Sequence, residues 1–201
     1  MWKWIIPLFA VYFMNLSAQT HVLAFAGSTR KDSFNKQLIK ESAKLAQEMG
    51  AKVTVLDLKQ YPLPLYDADY ESDHGQPVNA KTIRDLMIKS DVILIATPEY
   101  NGSMSGTLKN LIDWTSRNEE GKPSRLAFKD KKFVIMSATA GPGASAGALT
   151  HLKSSIENIG GIVLAKQISV PNAHQAFDAQ GQLANPNAEN ELKNLIKEAV
   201  Q

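Results

Sequence analysis

The sequence predicts an α/β protein built on a doubly wound parallel sheet. Short apolar runs alternate with segments whose apolar residues recur at helical spacing, and the connections are long enough for right-handed strand–helix–strand crossovers. The runs are apolar without interruption, as expected for strands covered by helices on both faces. We therefore expect ligands to bind outside the carboxyl ends of the strands, where the strand order reverses.

Five strands and five helices follow from this pattern. The first strand covers residues 22–26 and ends at Gly27, and the helix after it begins at Phe34 and ends at Gly50. Further strands are predicted at 53–58, 92–96, 133–136 and 162–165, and further helices at 78–89, 108–115, 149–159 and beyond Pro186. Residues 61–65 are predicted to form an extended loop, and residues 67–77 are acidic and polar.

The composition predicts a single domain over residues 19–201. A chain of 201 residues with 44% hydrophobic content can bury one substantial core. The 22 basic and 20 acidic residues are scattered, so no nucleic-acid partner is predicted. The chain has no Cys, and its four His residues show no metal-ligand spacing, so no thiolate chemistry and no metal site are predicted.

Residues 1–18 leave two interpretations open. Lys3, the apolar segment 4–14 and the small residues Ser17 and Ala18 resemble a secretory signal, which is too short to form a stable membrane span. Alternatively, translation begins at Met14, and a short polar leader precedes the first strand.

The loop at residues 27–35 connects the first strand to the N-terminus of the first helix. A helix N-terminus attracts anions. Free N–H groups and the partial positive charge of the helix favour a phosphate there. Side-chain donors are supplied by Ser28, Arg30, Ser33 and Asn35. The alternative is an ordinary turn in which Ser33 caps the helix and Arg30 is solvated.

A second loop, residues 97–106, offers consecutive backbone N–H groups, a planar aromatic side chain and small residues. These features suit the polar edge of a flat heterocycle, and they come from Pro98, Glu99, Tyr100, Asn101, Gly102 and Ser103. The alternative is a turn at the end of a strand, with Tyr100 merely packed. A third loop, residues 137–147, follows the fourth strand and is also rich in Gly, Ser and Ala.

Known catalytic motifs are missing from the sequence. The third loop has the spacing G-x-G-x-x-x-G and does not open the first strand–helix unit, so it is not a dinucleotide fingerprint. The sequence has no G-x-x-x-x-G-K-[ST] and no G-x-S-x-G. The protein therefore offers no catalytic residue of its own, and we expect a bound cofactor to carry the chemistry.

Two motifs in these loops resemble the NADPH-dependent FMN reductase family of flavodoxin-like proteins, which includes bacterial quinone and chromate reductases. The first motif, G-S-x-R-x-x-S-x-N-x-x-L, is complete from Gly27 to Leu38. The second combines P-E-Y-N-x-S at residues 98–103 with G-x-L-K-N-x-I-D-W at 106–114. The resemblance implies a flavodoxin-like five-stranded sheet in the order 2-1-3-4-5.

The resemblance also assigns the three loops. It implies that the first loop holds the FMN phosphate, that the second holds the isoalloxazine ring, and that the third, with Ser137, Gly141 and Gly143, closes over the ring. The chain departs from the family pattern at Ser105, where Pro is common, and in a third loop with fewer paired Gly residues.

The resemblance implies hydride transfer from NADPH or NADH to FMN, and from there to a quinone, free flavin or similar small-molecule electron acceptor. The alternative is a flavin-bound electron carrier or interaction module without turnover of its own. A homodimer or homotetramer is expected, with Leu111 and Trp114 either at the interface or in the core. Because reduced nicotinamide is a cytoplasmic supply, a cytoplasmic protein is expected, and export by residues 1–18 is the alternative.

Overall fold

The computed structural model describes residues 19–201, so both interpretations of residues 1–18 lie outside the described residues. The strands are β1 (His21–Ala26), β2 (Lys52–Leu56), β3 (Val92–Ala96), β4 (Glu99–Tyr100), β5 (Ser103–Met104), β6 (Lys132–Ala138), β7 (Ile162–Val163) and β8 (Ile168–Val170). The helices are α1 (Phe34–Glu48), α2 (Ala68–His74), α3 (Val78–Ile88), α4 (Gly106–Thr115), α5 (Ala146–Asn158), α6 (Ala173–Ala176) and α7 (Pro186–Val200).

The central sheet is parallel, in the order β2-β1-β3-β6-β7, with β8 also paired to β6. Counted by position, this is the predicted order 2-1-3-4-5, which is therefore confirmed. The fifth position differs from the prediction. One strand was expected at residues 162–165, but β7 pairs with the start of β6 and β8 with its end, so the edge is divided between two short strands.

Alternation along β1 explains why both faces of the sheet are covered. Val22, Ala24 and Ala26 belong to one buried cluster, with residues of α1 and α7. Leu23 and Phe25 belong to the other, with residues of α3, α4 and α5. Successive side chains of a strand point to opposite faces of the sheet, so the unbroken apolar run contributes to the hydrophobic core on each face.

Two further differences from the sequence prediction come from aspartates that cap short helices. The second strand ends at Leu56 rather than at residue 58, because the carboxylate of Asp57 accepts the Lys59 N–H and starts a 3₁₀ turn. Likewise, Asp67 accepts the N–H groups of Asp69 and Tyr70 and starts α2 in the acidic segment 67–77, where no helix was predicted. Side-chain caps of this kind satisfy amides that a helix start leaves free.

Polar contacts hold the segment from residue 61 to 77 against α4 and against Arg117 just beyond it. The Glu71 carboxylate lies 2.6 Å from the Arg117 guanidinium, and the indole N–H of Trp114 donates to the Pro64 carbonyl at 2.8 Å. Trp114 and Leu111 are 0% and 1% exposed within the chain itself. The interface role expected for them is therefore wrong, and the core alternative is confirmed.

The described helices also bear on membrane association. Within residues 19–201, none is long and apolar enough to cross a bilayer.

The contact between α1 and the segment that precedes α7 predicts a pH dependence of stability. Both carboxylate oxygens of the buried Glu41 accept the Leu183 N–H, at 3.1 and 3.0 Å. Burial raises the pKa of Glu41 above its ordinary value of 4.5. In the window between the two values the folded state binds a proton that the unfolded state lacks, so the free energy of unfolding falls as pH rises through it.

Glu41→Gln should remove this part of the pH dependence. The measurement is urea unfolding at several pH values between about 4.5 and 7. Glu48→Gln is the matched control, because Glu48 lies on the same helix and is exposed, 3.8 Å from Lys44. An unchanged pH slope in Glu41→Gln would contradict the assignment.

Candidate active site

Three loops begin at one edge of the sheet because β1, β3 and β6 run parallel and in register. Ala26 lies beside Ala96, and Ala96 lies beside Met136. The first, second and third loops, residues 27–35, 97–106 and 137–147, therefore leave the sheet side by side. This is the carboxyl edge at which doubly wound folds bind ligands.

The N-terminus of α1 lacks its usual cap. Ser33 occupies the N-cap position with an extended backbone, but its hydroxyl accepts no hydrogen bond from the first turn, and that turn has no acidic residue. The first backbone N–H groups of α1 are therefore free to donate to another partner, and the partial positive charge of the helix end favours an anion. Ser28 and Ser33 are each 6% exposed, whereas Arg30 is exposed and forms no ion pair within residues 19–201. This arrangement suits an anion.

Asn35 joins the first loop to the third. Its side-chain amide donates to the Ala138 carbonyl at 2.8 Å and accepts the Ala138 N–H at 2.9 Å. This two-way pairing closes the end of β6 against α1. The Asn35 side chain, predicted to donate to the ligand, is thus already engaged with the backbone of another loop.

The second loop is a two-residue β-hairpin that the sequence analysis missed. β4 and β5 pair antiparallel, with Glu99 opposite Met104 and Tyr100 opposite Ser103. Asn101 and Gly102 at its tip have φ values of 52° and 76°. Two consecutive positive φ values define a type I′ turn, for which Asn-Gly is the preferred pair. That dipeptide was the signal that could have predicted the hairpin.

Two buried hydroxyl groups bond the second loop to its neighbours. The Ser105 hydroxyl donates to the Gly27 carbonyl and accepts the Leu108 N–H at 3.2 Å, which also caps α4. The Ser137 hydroxyl donates to the Thr97 carbonyl at 2.7 Å. Ser137 was predicted to contact the ligand, and Ser105 was noted only as a departure from the family pattern. In the structure both connect loops.

A close contact joins the hairpin to the N-terminus of α5. The Glu99 carboxylate accepts the Ala148 N–H at 2.9 Å. A Cβ atom added to Gly147 would lie 2.2 Å from the Gly102 carbonyl oxygen, so only glycine fits there. We call this contact the hairpin clamp, formed by Glu99, Gly102, Gly147 and Ala148. The sequence analysis had considered Gly147 only within a rejected motif.

The rest of the third loop is more open. A Cβ added to Gly141 or Gly143 would meet no atom within 4 Å. The Gly141 carbonyl accepts the Asn172 N–H at 2.9 Å, which fixes the loop to the segment after β8. Ser145 begins α5 with a φ of 48°. Open space beside Gly141 and Gly143, and beside Gly102 in the hairpin, leaves backbone accessible to a flat ligand.

Within residues 19–201, no three His, Asp or Glu side chains are arranged as metal ligands. The described site therefore consists of an uncapped helix N-terminus, a hairpin and an open glycine-containing loop.

Comparison with known proteins identifies the family. The sequence matches the family described as NADPH-dependent FMN reductase over residues 20–175. The chain belongs to this family. The predicted family, oxidoreductase class and FMN cofactor are thereby confirmed.

Similar proteins agree with the assignment to the NADPH-dependent FMN reductases. An NAD(P)H-dependent FMN reductase of Pseudomonas aeruginosa is 34% identical over 187 residues, covering 92% of this chain and 94% of the relative. A quinone reductase of Escherichia coli K12 is 31% identical, covering 75% and 77% of the two chains. The structure of FerB, a flavoenzyme NAD(P)H:(acceptor) oxidoreductase from Paracoccus denitrificans, superposes with a TM-score of 0.76 at 28% identity, covering 90% and 95%.

The site fits the cofactor of this family. The uncapped N-terminus of α1 and the exposed Arg30 suit the FMN phosphate, and the open backbone at Gly102, Gly141 and Gly143 suits a flat ring. Three of the predicted ligand residues, Asn35, Glu99 and Ser137, also form side-chain hydrogen bonds to neighbouring segments, and their roles toward FMN stay predictions.

The hairpin clamp predicts that Gly147→Ala destabilises the apoprotein and weakens FMN binding. Because the added methyl group would overlap a backbone oxygen, either α5 or the hairpin must move, at a cost of about 1–3 kcal/mol. The measurements are urea unfolding and fluorescence titration with FMN. Gly106→Ala is the matched control, since its Cβ would meet no atom within 4 Å. Parent-like values for Gly147→Ala would show that the clamp is not rigid.

Proposed function

We propose that this protein transfers hydride from NADPH or NADH to bound FMN and passes the electrons to a quinone or a similar small oxidant. The chief support is the uncapped N-terminus of α1, which lies beside a hairpin and a third loop with open backbone. The FMN reductase and quinone reductase named among its relatives support the same reaction class.

The first loop would hold the FMN phosphate. The free amides of α1 and the hydroxyls of Ser28 and Ser33 could donate hydrogen bonds to it, and Arg30 would add a fixed positive charge. The side chain of Asn35 acts indirectly, because its hydrogen bonds to Ala138 fix the end of β6 next to the phosphate site. We therefore interpret Asn35 as a positioning residue.

The second and third loops would hold the ring. When bound, FMN supplies the hydride acceptor and the relay of electrons, so the protein needs no acid, base or nucleophile for that step. Backbone N–H groups within residues 99–103 and 141–145, except at Pro142, can stabilise negative charge that develops on the ring during reduction. Glu99 and Ser137 keep these two loops in a fixed relation through their bonds to Ala148 and Thr97.

The alternative is a flavin-bound electron carrier that NAD(P)H does not reduce. The two are separated by mixing the FMN-loaded protein anaerobically with NADPH or NADH and following the visible absorption of the flavin. We expect the absorption to be lost and then restored when a quinone is added. If neither nucleotide bleaches the flavin, the proposed function is wrong.

The assembly and location expected from the sequence stay predictions. The homodimer or homotetramer no longer has Leu111 and Trp114 as interface residues, because both are buried within the chain. Cytoplasmic location depends on whether residues 1–18 act as a secretory signal or translation begins at Met14.

Arg30→Ala should weaken FMN binding by about one to two decades. A charge-assisted hydrogen bond of this kind contributes roughly 1.5 to 3 kcal/mol. The measurement is fluorescence titration of the apoprotein with FMN and, separately, with riboflavin, which lacks the phosphate and should bind the parent and the variant alike. Arg125→Ala provides a matched control on another exposed arginine. Unchanged FMN affinity in Arg30→Ala would refute the phosphate assignment.

Gly102→Val should impair flavin reduction severely. Valine is strained at a φ of 76°, and its side chain would occupy the open space beside the turn. Tyr100→Phe and Glu99→Gln should instead stay within about tenfold of the parent, the low end of the loss expected for a general acid or base. Stopped-flow reduction by NADPH measures all three. A loss of about a thousandfold in either polar variant, with FMN still bound, would place that side chain in the chemistry.

A further inference from the structure

The tip of the hairpin between β4 and β5 carries Asn101 followed by Gly102, and the sequence contains no other Asn-Gly pair. Both residues are exposed. Within residues 19–201, the Asn101 side chain forms no hydrogen bond and the Gly102 N–H donates to no acceptor. An asparagine side chain therefore lies next to a backbone nitrogen that is neither bonded nor shielded.

An asparagine followed by glycine is able to modify itself. The backbone nitrogen of the second residue gives its proton to water and bonds to the side-chain carbon Cγ of the asparagine. The Cγ–Nδ2 bond breaks, ammonia leaves with a proton taken from water, and a five-membered succinimide ring closes through the backbone. Glycine favours this step because it has no Cβ to crowd the attacking nitrogen. The step needs no oxidant, reductant or enzyme.

A small change in the turn brings the reacting atoms together. Ring closure requires the Gly102 nitrogen to lie on the same side of the Asn101 Cα as the side chain. A type II′ turn meets this requirement, because the ψ of its first central residue is about −120°, and it also closes two-residue hairpins. Rotation of the one peptide plane between Asn101 and Gly102 converts the type I′ turn into type II′. The Asn101 φ of 52° suits both turns, and a Cβ on Gly102 would meet no atom within 4 Å, so the plane has room to rotate.

We propose that Asn101 is a site of spontaneous deamidation in the FMN-free protein, and that FMN bound at the hairpin prevents it. Water opens the succinimide in two ways. Opening at Cγ yields aspartate and the original backbone, whereas opening at the main-chain carbonyl yields isoaspartate, whose backbone runs through Cγ and is one methylene longer. Both products carry a carboxylate where the protein had a neutral amide.

The two products affect the hairpin differently. Asp-Gly is a preferred pair for a type I′ turn, so aspartate keeps the hairpin but adds a negative charge at its tip. Isoaspartate lengthens a turn whose length sets the pairing register of β4 and β5. The hairpin clamp depends on that register, because the Gly102 carbonyl lies against Gly147. Isoaspartate should therefore open the clamp, and aspartate should leave it closed.

Protection by FMN rests on the proposed function, in which backbone N–H groups of the hairpin bind the ring. A ring held there fixes the peptide plane between Asn101 and Gly102 and engages the attacking nitrogen. Only the unliganded protein then reacts. With FMN at a hundred times its Kd, about 1% of the protein is unliganded, and deamidation should slow by about a hundredfold.

Asn172 is a matched control within the same chain. It is exposed and has a φ of 47°, close to that of Asn101. The next residue, however, is Ala173, and its N–H donates to the Thr139 carbonyl at 2.8 Å. The attacking nitrogen is thus crowded by a Cβ and held in a hydrogen bond, so Asn172 should stay intact while Asn101 reacts.

The test follows both asparagines while the apoprotein is incubated at mildly alkaline pH, with and without FMN. Peptide mapping by mass spectrometry detects the gain of one dalton, and chromatography separates the aspartate and isoaspartate peptides. We expect Asn101 to be modified, Asn172 to remain unmodified, and FMN to suppress the modification. Riboflavin at saturation should also protect, whereas inorganic phosphate, which lacks the ring, should not.

Asn101→Asp separates the added charge from the longer backbone. This variant should unfold in urea like the parent and bind FMN about tenfold more weakly, because a carboxylate replaces a neutral amide beside the ring. Asn187→Asp is the control, since Asn187 is exposed in the first turn of α7 and lies outside the three loops; its FMN affinity should equal that of the parent. Apoprotein rich in isoaspartate should bind FMN more weakly than Asn101→Asp.

Two results would overturn the inference: aged apoprotein in which Asn101 is unmodified, or modification that proceeds equally fast with saturating FMN. Failure of the proposed function gives a different result. In that case neither NADPH nor NADH would bleach the flavin, while Asn101 would still be modified in the apoprotein and still be protected by FMN, because neither process involves a nicotinamide.

Discussion

Buried hydrogen bonds between loops hold the carboxyl edge of this sheet together. Asn35 bonds both backbone groups of Ala138, Ser105 bonds Gly27, and Ser137 bonds Thr97. Where loops pack against one another, their backbone carbonyl and N–H groups lose hydrogen bonds to water. Each such group then needs a hydrogen-bond partner within the protein. Short polar side chains supply those partners here. The active-site edge is consequently a connected unit rather than three independent loops.

This connection explains how a protein for which no catalytic residue is predicted can support hydride transfer. Bringing a nicotinamide and a flavin together in the right geometry accounts for a large part of such a barrier, and donors that are already oriented cost nothing to align. Side chains that merely position loops therefore serve the reaction as directly as those that touch the cofactor. The hairpin clamp is the tightest example, because the Gly102 carbonyl is pressed against the backbone of Gly147.

The sequence predicted the sheet well because each central strand is a short apolar run, and burial on both faces requires such a run. Local side-chain chemistry was harder to foresee. The caps at Asp57 and Asp67 moved element boundaries, and the Asn101-Gly102 turn created a hairpin. The loops were located from composition, but the partners of Asn35 and Ser137 lie 103 and 40 residues away along the chain, and such pairings depend on tertiary structure. Polar residue type alone did not show which side chains form hydrogen bonds between loops.

The divided edge of the sheet also limits how copies of this protein can associate. β7 and β8 pair with the two ends of β6, and each is only two or three residues long. A long, flat edge strand presents an unbroken row of N–H and C=O groups with which a strand of another chain can pair. Very short edge strands present no such row. Strand addition at this side is therefore disfavoured. If the protein self-associates, helical surfaces offer the better contact.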